Sequence, residues 1–191
     1  MKGYIYTMFA GADPGTGWRM TDPIYGKTPT LGACVPHVRR AVAPGDMIFT
    51  LSGRVSGVQQ YIVGGFEVAE KIDALAALAR FPEYKQRKLD DGELAGNIIV
   101  NSDGSRSKVD YHSNFSKRLD NYIVGRKPIV LDKPSEIAQA RSETLDVLGK
   151  VFDKSATRVF DITARWRKVD DKQIGLLVSW LNGIKSAHAD K

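Results

Sequence analysis

Few residues in this chain suit acid–base or nucleophilic chemistry, and they are scattered. Asp110 and His112 place a carboxylate two positions from an imidazole, an arrangement suited to proton transfer. Alternate residues of a strand share one face, so on a strand these two side chains would cooperate. Asp46, after a Pro-Gly corner, is a further acid–base candidate. The candidate catalytic residues are therefore Asp46, Asp110 and His112, with an exposed polar loop as the alternative for residues 110–112.

Cysteine and histidine usage limits the kinds of site that the chain can build. Cys34 is the only cysteine, which excludes an intrachain disulfide and fits a reducing compartment. Cys34 and His37 have Cys-x-x-His spacing, but two further zinc ligands are missing nearby. We therefore expect a buried thiol, a surface imidazole, no metal and no cofactor.

Basic residues beside aromatic residues suggest a polyanionic ligand. The net charge is +6, and no basic tail concentrates it. Guanidinium and ammonium groups pair with phosphate, and flat rings stack on bases. The tryptophan at position 18, in a glycine-rich loop, could stack on a base or pack onto the fold. The predicted ligand-binding residues are Trp18, Arg19, Arg39, Arg40, Ser52, Arg118 and Tyr122.

Hydrophobic periodicity indicates strands early in the chain and helices late, which favours the α+β class. Alternating or β-branched runs predict strands at 2–9, 47–51, 59–68, 97–100, 122–130 and, briefly, 159–162. Helical spacing predicts helices at 36–41, 72–88 and 135–152, and a last one that begins at Asp170. Gln173 follows Asp170 by three residues, which is the spacing of a capping box.

Several segments resemble a known superfamily. Val38-Arg39-Arg40, Pro44-Gly45-Asp46-Met47-Ile48-Phe49 and Ile62-Val63-Gly64-Gly65-Phe66-Glu67-Val68 resemble the first half of PUA-like domains of the EVE and ASCH kind. Over about residues 1–130, the chain is similar to the nucleotide modification associated domain, second type. The resemblance implies a PUA-like mixed β-barrel with peripheral helices, associated with modified bases in DNA hypermodification systems of phages and bacteria.

These observations predict one domain over residues 1–191, with a barrel core at 1–130 and a helical portion at 131–191 packed on it. The leading hypothesis is a non-catalytic module that binds nucleic acid, a nucleotide or a modified base. In that hypothesis the residue Trp18 stacks on the base, and Arg39 and Arg40 contact phosphate. One alternative is an enzyme that processes a nucleotide or modified base, and another is a structural adaptor in a phage or defence complex.

The sequence also bears on compartment. The first residues run directly into a strand pattern rather than a signal peptide, and no apolar run approaches the roughly 20 residues that span a bilayer. We therefore expect a cytoplasmic protein that has no membrane partner and that, in some settings, binds a protein partner.

Overall fold

A computed structural model describes residues 1–189 of the chain. Its longer strands are rich in β-branched and aromatic residues, which favour the half-buried positions of a sheet. The strands are β1 (Gly3–Thr7), β2 (Thr30–Leu31), β3 (Met47–Leu51), β4 (Ile62–Ile72), β5 (Arg87–Lys88), β6 (Leu94–Ala95), β7 (Tyr122–Val130) and β8 (Trp166–Val169).

Five α-helices accompany the strands, and the two long ones come late in the chain. They are α1 (Pro36–Ala41), α2 (Ala74–Arg80), α3 (Pro134–Phe152), α4 (Val159–Thr163) and α5 (Asp171–Ala187). Short 3-10 helices lie at Pro14–Thr16, Pro82–Tyr84 and Phe115–Arg118. Within residues 1–189, no helix is both long and apolar enough to cross a bilayer.

Six strands form one mixed sheet in the order β2-β7-β4-β3-β1-β8, and β5 and β6 form a separate pair. The α+β class is therefore confirmed. The sheet runs from β2 at one edge to β8 at the other, so in the described part of the chain it is not the closed barrel that we expected. Closure would require the two edge strands to pair with each other.

The chain divides into two compact units, each built from separated segments. Unit 1 consists of Met1–Arg19, Asp46–Glu67 and the chain from Pro128 onward. Unit 2 consists of Met20–Gly45 and Val68–Lys127. This grouping differs from the sequential division into residues 1–130 and 131–191, because it joins the C-terminal helices to the first strand.

Unit 1 is organised around β1, which pairs in parallel with β3 and antiparallel with β8. β1 is buried along nearly its whole length, including Tyr4, Ile5 and Tyr6. Helices α3 and α5 pack against each other. An ion pair between the buried Glu136 and Lys185, 2.9 Å apart, links these two helices.

The segment at 159–162 is a correction to the sequence-based assignment. It forms the start of α4 rather than a strand, and β8 follows it immediately. Val159, Ile162 and Thr163 are buried, a spacing of three and four residues that places them on one helix face. A four-residue segment with three apolar residues, Val159, Phe160 and Ile162, is too short for its period to distinguish a helix from a strand.

Helix α5 confirms the predicted capping box. Asp170 accepts from the backbone N–H of Gln173 at 2.8 Å, and the Gln173 side chain accepts from the Asp170 N–H at 2.9 Å. These two bonds satisfy N–H groups that a helix start leaves free. The helix buries Ile174, Leu177, Leu181 and Ile184.

We expect Leu177→Ala to lower the free energy of unfolding by about 2 to 5 kcal/mol, because it opens a cavity in a packed core. Leu177 is fully buried, whereas the adjacent Leu176 is 47% exposed. Leu176→Ala is therefore the matched control, with an expected change within about 0.5 kcal/mol. Chemical denaturation of both variants measures the difference. Equal losses would contradict the assignment of this face to the core.

Unit 2 has its own apolar core, and its loops carry the polar side chains of the candidate site. β2 pairs antiparallel with β7. The core joins α2, β7 and the segment before residue 101, and it consists of Ala74, Ala77, Ile98, Val100, Tyr122 and Val124. The loops of unit 2 that surround Cys34 and residues 106–118 form the site described next.

Candidate active site

A cysteine, a histidine and an aspartate of unit 2 form a continuous series of contacts. The Cys34 Sγ lies 3.8 Å from the Nε2 of His112. The Nδ1 of the same imidazole lies 2.6 Å from Oδ1 of Asp110. An imidazole whose Nδ1–H donates to a carboxylate presents the Nε2 lone pair to its other neighbour. The order of groups is therefore that of a nucleophile, a base and an orienting carboxylate.

The carboxylate of this series is itself fixed by an arginine on the same loop. The Arg106 Nε donates to Oδ2 of Asp110 at 2.7 Å, and its Nη2 donates to the His112 carbonyl at 2.6 Å. The Asp110 side chain is fully buried. Arg106 thus occupies one carboxylate oxygen and leaves the other for the imidazole.

The His112 ring is also held from one face. The ring of Tyr111 stacks on it at 5.0 Å between centroids, with an interplanar angle of 12°. The Tyr111 residue is exposed. Stacking on one side and the Asp110 contact at Nδ1 restrict rotation of the imidazole, so Nε2 stays directed at Cys34.

Asp22 shapes the backbone that carries Cys34. Its carboxylate accepts the backbone N–H groups of Gly32 and Ala33 at 2.8 Å each, and that of Cys34. Asn97 Nδ2 donates to the same carboxylate at 2.9 Å. Four donors on one buried carboxylate hold this part of the loop before α1 in a single conformation.

Arg39, on α1, joins the Cys34 segment to residues 118–121. Its Nε donates to the Cys34 carbonyl at 2.9 Å. Its Nη1 donates to the carbonyls of Asp120 and Asn121, at 2.9 and 3.0 Å, and its Nη2 donates to the carbonyl of Arg118 at 3.3 Å. Burial lowers the pKa of Arg39 to about 10, so the group remains charged at neutral pH. Arg39 therefore has a structural role, because it connects the Cys34 segment with residues 118–121.

The Cys34 thiol is neutral at rest. Burial, followed by the negative charge of Asp22, raises the pKa of the Cys34 thiol well above its usual value. The guanidinium groups of Arg118 and Arg39 act in the opposite direction but are outweighed. A thiolate must therefore be formed during a reaction, by transfer of the proton to a base.

Three predicted ligand-binding residues in unit 2 have their polar groups engaged in hydrogen bonds within the protein. Arg39 is fully buried with its donors on carbonyls, so contact with phosphate does not fit its position. Tyr122 is also buried, and its hydroxyl donates to Oδ1 of Asn97. Arg118 is half-buried and donates to the carbonyls of Ser113 and Ala33. The neighbouring Arg40 is exposed, as a phosphate contact requires.

The remaining predicted site residues belong to unit 1. Trp18 is half-buried and meets Phe9 edge to face, 5.5 Å between centroids, and Arg19 is exposed. Ser52 is buried, and its hydroxyl accepts the Tyr61 N–H, so it is occupied internally. Asp46 is buried and accepts the Lys2 N–H, with the Lys2 Nζ 3.9 Å away.

The acid–base pair was predicted for a reason that the structure corrects. Asp110 and His112 do lie together, but on a loop between β6 and β7 rather than on a strand. The contact to Cys34 was missed, because Cys34 was compared with His37 at short spacing. His37 is exposed on α1, whereas His112 approaches Cys34 from 78 positions away. A single cysteine with an Asp-x-His segment elsewhere was the available signal.

Within residues 1–189, no group of three or more His, Cys, Asp or Glu side chains is arranged to hold a metal ion. The donors around Cys34 instead form hydrogen bonds with one another and with the backbone. The chemistry that this arrangement supports is therefore proton transfer coupled to nucleophilic attack by sulfur.

Comparisons with known proteins do not extend this description. No protein-family model, curated protein or solved structure matches the chain.

Proposed function

We propose that the chain is an enzyme in which Cys34 attacks an electrophilic carbon, His112 acts as general base and Asp110 orients His112. The observation that carries this proposal is the series from Cys34 Sγ through His112 to Asp110, with contacts of 3.8 and 2.6 Å. The resemblance to the nucleotide modification associated domain, second type, adds a substrate class, a nucleotide or modified base. On the same resemblance, we propose a distant relationship to PUA-like folds.

His112 accepts and returns every proton that the proposed reaction transfers. The Cys34 proton moves to Nε2 of His112 as sulfur bonds to the electrophilic carbon. The imidazolium, stabilised by Asp110, then gives that proton to the leaving group. Water or another acceptor then attacks the same carbon and gives its proton to His112, and His112 returns that proton to the departing sulfur, which regenerates the thiol. The enzyme thereby catalyses group transfer or hydrolysis through a covalent Cys34 intermediate.

An activated ester tests the proposal without knowledge of the natural substrate. We expect p-nitrophenyl acetate to acylate Cys34, with a mass increase of one acetyl group located at that residue. Cys34→Ser should lower nitrophenolate release above background by at least about 100-fold, because a hydroxyl is a far weaker nucleophile near neutral pH. Equal release by the wild type and Cys34→Ser would contradict the proposal.

A second candidate function is the binding of nucleic acid without catalysis. It is supported by the half-buried Trp18 and the exposed Arg19 beside it, together with a net charge of +6. An indole seated edge-on against Phe9 keeps part of its surface available for stacking.

We expect Trp18→Ala to weaken binding of a single-stranded oligonucleotide by about 5- to 150-fold, since base stacking contributes about 1 to 3 kcal/mol. The melting temperature should change little, because the lost edge-to-face pair contributes only about 0.5 to 1.5 kcal/mol. Phe160→Ala removes a different, exposed aromatic side chain of unit 1 and is the control. Fluorescence anisotropy gives the affinities, and unchanged affinity in Trp18→Ala removes that residue from the site.

A further inference from the structure

Asp22 is a buried carboxylate that the proposed reaction does not use, although it touches the nucleophile. It is 6% exposed. Its oxygens accept the N–H groups of Gly32, Ala33 and Cys34. The charge of this carboxylate also acts on the Cys34 thiol and raises its pKa. One carboxylate thus holds the backbone of the cysteine and opposes a negative charge on its side chain.

From this arrangement we infer that Asp22 is a positioning residue that holds Cys34 in register with His112 and opposes formation of the Cys34 thiolate until the reaction begins. The inference rests on the proposed function, because it concerns the same nucleophile.

The positioning role follows from how tightly this loop is enclosed. At Gly32, an added Cβ would lie 2.4 Å from the carbonyl oxygen of Asn97 and 2.5 Å from the Tyr122 ring. The backbone at residue 32 therefore has no room to shift. Asp22 then fixes the next two residues through their N–H groups. The combination determines where the Cys34 side chain leaves the backbone.

The electrostatic role follows from where the Asp22 carboxylate lies. Its Oδ2 accepts the Cys34 N–H, which places a negative charge beside the residue that carries the thiol. Nε2 of His112 is the acceptor within reach of the thiol proton. The other charged or titratable groups that influence the thiol are Arg39 and Arg118, which favour the thiolate, and the neutral Tyr111.

A nearby negative charge disfavours a second one, so Asp22 opposes thiolate formation while the site is at rest. When an electrophile accepts the sulfur lone pair, the proton passes to His112 and negative charge leaves sulfur as the new bond forms. The charge repulsion from Asp22 is therefore greatest for the free thiolate and smaller once sulfur is bonded to carbon. Asp22 thus restricts reactivity to a bound electrophile without blocking the covalent step.

The pH dependence of Cys34 alkylation by iodoacetamide tests the inference, because no other cysteine is present. We expect Asp22→Asn, which retains an acceptor but removes the charge, to move the midpoint of the profile down by about 1 to 3 pH units. Asp90→Asn neutralises an exposed carboxylate of unit 2 and should leave the midpoint unchanged. An unmoved midpoint in a folded Asp22→Asn variant overturns the inference.

A second measurement needs no change at Asp22. The ultraviolet absorbance of the thiolate, taken as wild type minus Cys34→Ala, should be absent at neutral pH and appear only at alkaline pH. A thiolate signal at neutral pH would overturn the inference even if Asp22→Asn failed to fold. Either failure leaves the proposed function standing if Cys34 still acylates in a His112-dependent manner. Loss of that dependence would refute the proposed function itself.

Discussion

His112→Ala should slow alkylation of Cys34 by iodoacetamide at neutral pH by about 100- to 10,000-fold, the range of general-base catalysis. The physical reason is that burial and Asp22 raise the pKa of the Cys34 thiol, so almost no thiolate exists without a base. The base in reach is His112, whose Nε2 lies 3.8 Å from the Cys34 sulfur. Mass spectrometry of the labelled chain measures the rate directly.

The matched control for this prediction is His37→Ala. His37 lies three residues from Cys34 in sequence but is exposed on α1, so its removal should change the rate by less than about twofold. Circular dichroism verifies that both variants are folded. Similar rates for the wild type and His112→Ala would show that His112 does not accept the thiol proton.

Arg39→Ala should lower the free energy of unfolding by about 3 to 5 kcal/mol, because it leaves buried acceptors without their charged donor. Four carbonyls, those of Cys34, Arg118, Asp120 and Asn121, receive hydrogen bonds from this one side chain. The guanidinium is fully buried, so bulk water does not replace it freely. Urea denaturation measures the loss.

Arg40→Ala provides the comparison for Arg39→Ala within the same helix. Arg40 is exposed, and its substitution should change stability by no more than about 0.5 kcal/mol. Arg39→Lys should also be destabilising, because an ammonium group cannot reproduce the planar set of donors. If Arg39→Ala and Arg40→Ala behaved alike, the four carbonyl contacts would not contribute to folding.

Elements with a strong local signal could be predicted from sequence. Helix α5 begins at a capping box that is complete in itself, and its apolar residues repeat at helical spacing. Strands β3 and β7 lie at the predicted residues, 47–51 and 122–130. The contact between Asp110 and His112 could be anticipated because the two residues are only two positions apart in the sequence.

What depends on distant parts of the chain could not be predicted in this way. The approach of His112 to Cys34 is set by Arg39, Arg106 and Asp22, whose hydrogen bonds join loops that have no period. An arginine is rarely buried, so Arg39 and Arg40 had the same sequence-based interpretation although one faces the interior and the other solvent. The open sheet likewise depends on pairing between strands that are far apart in the sequence. A resemblance between short motifs does not reveal such pairing.

The position of β1 between β3 and β8 has a consequence for how the chain is made. β1 and β3 are separated by about forty residues and are both available for pairing well before β8, which can be added only when residues 166–169 have left the ribosome. Until then one edge of β1, with Tyr4 and Tyr6, has no strand beside it. Long-range pairing of this kind slows folding and prolongs the exposure of strand edges. The sheet of unit 1 is therefore completed only after residues 166–169 have been synthesised, and a nascent chain halted before β8 leaves this edge of β1 open to aggregation.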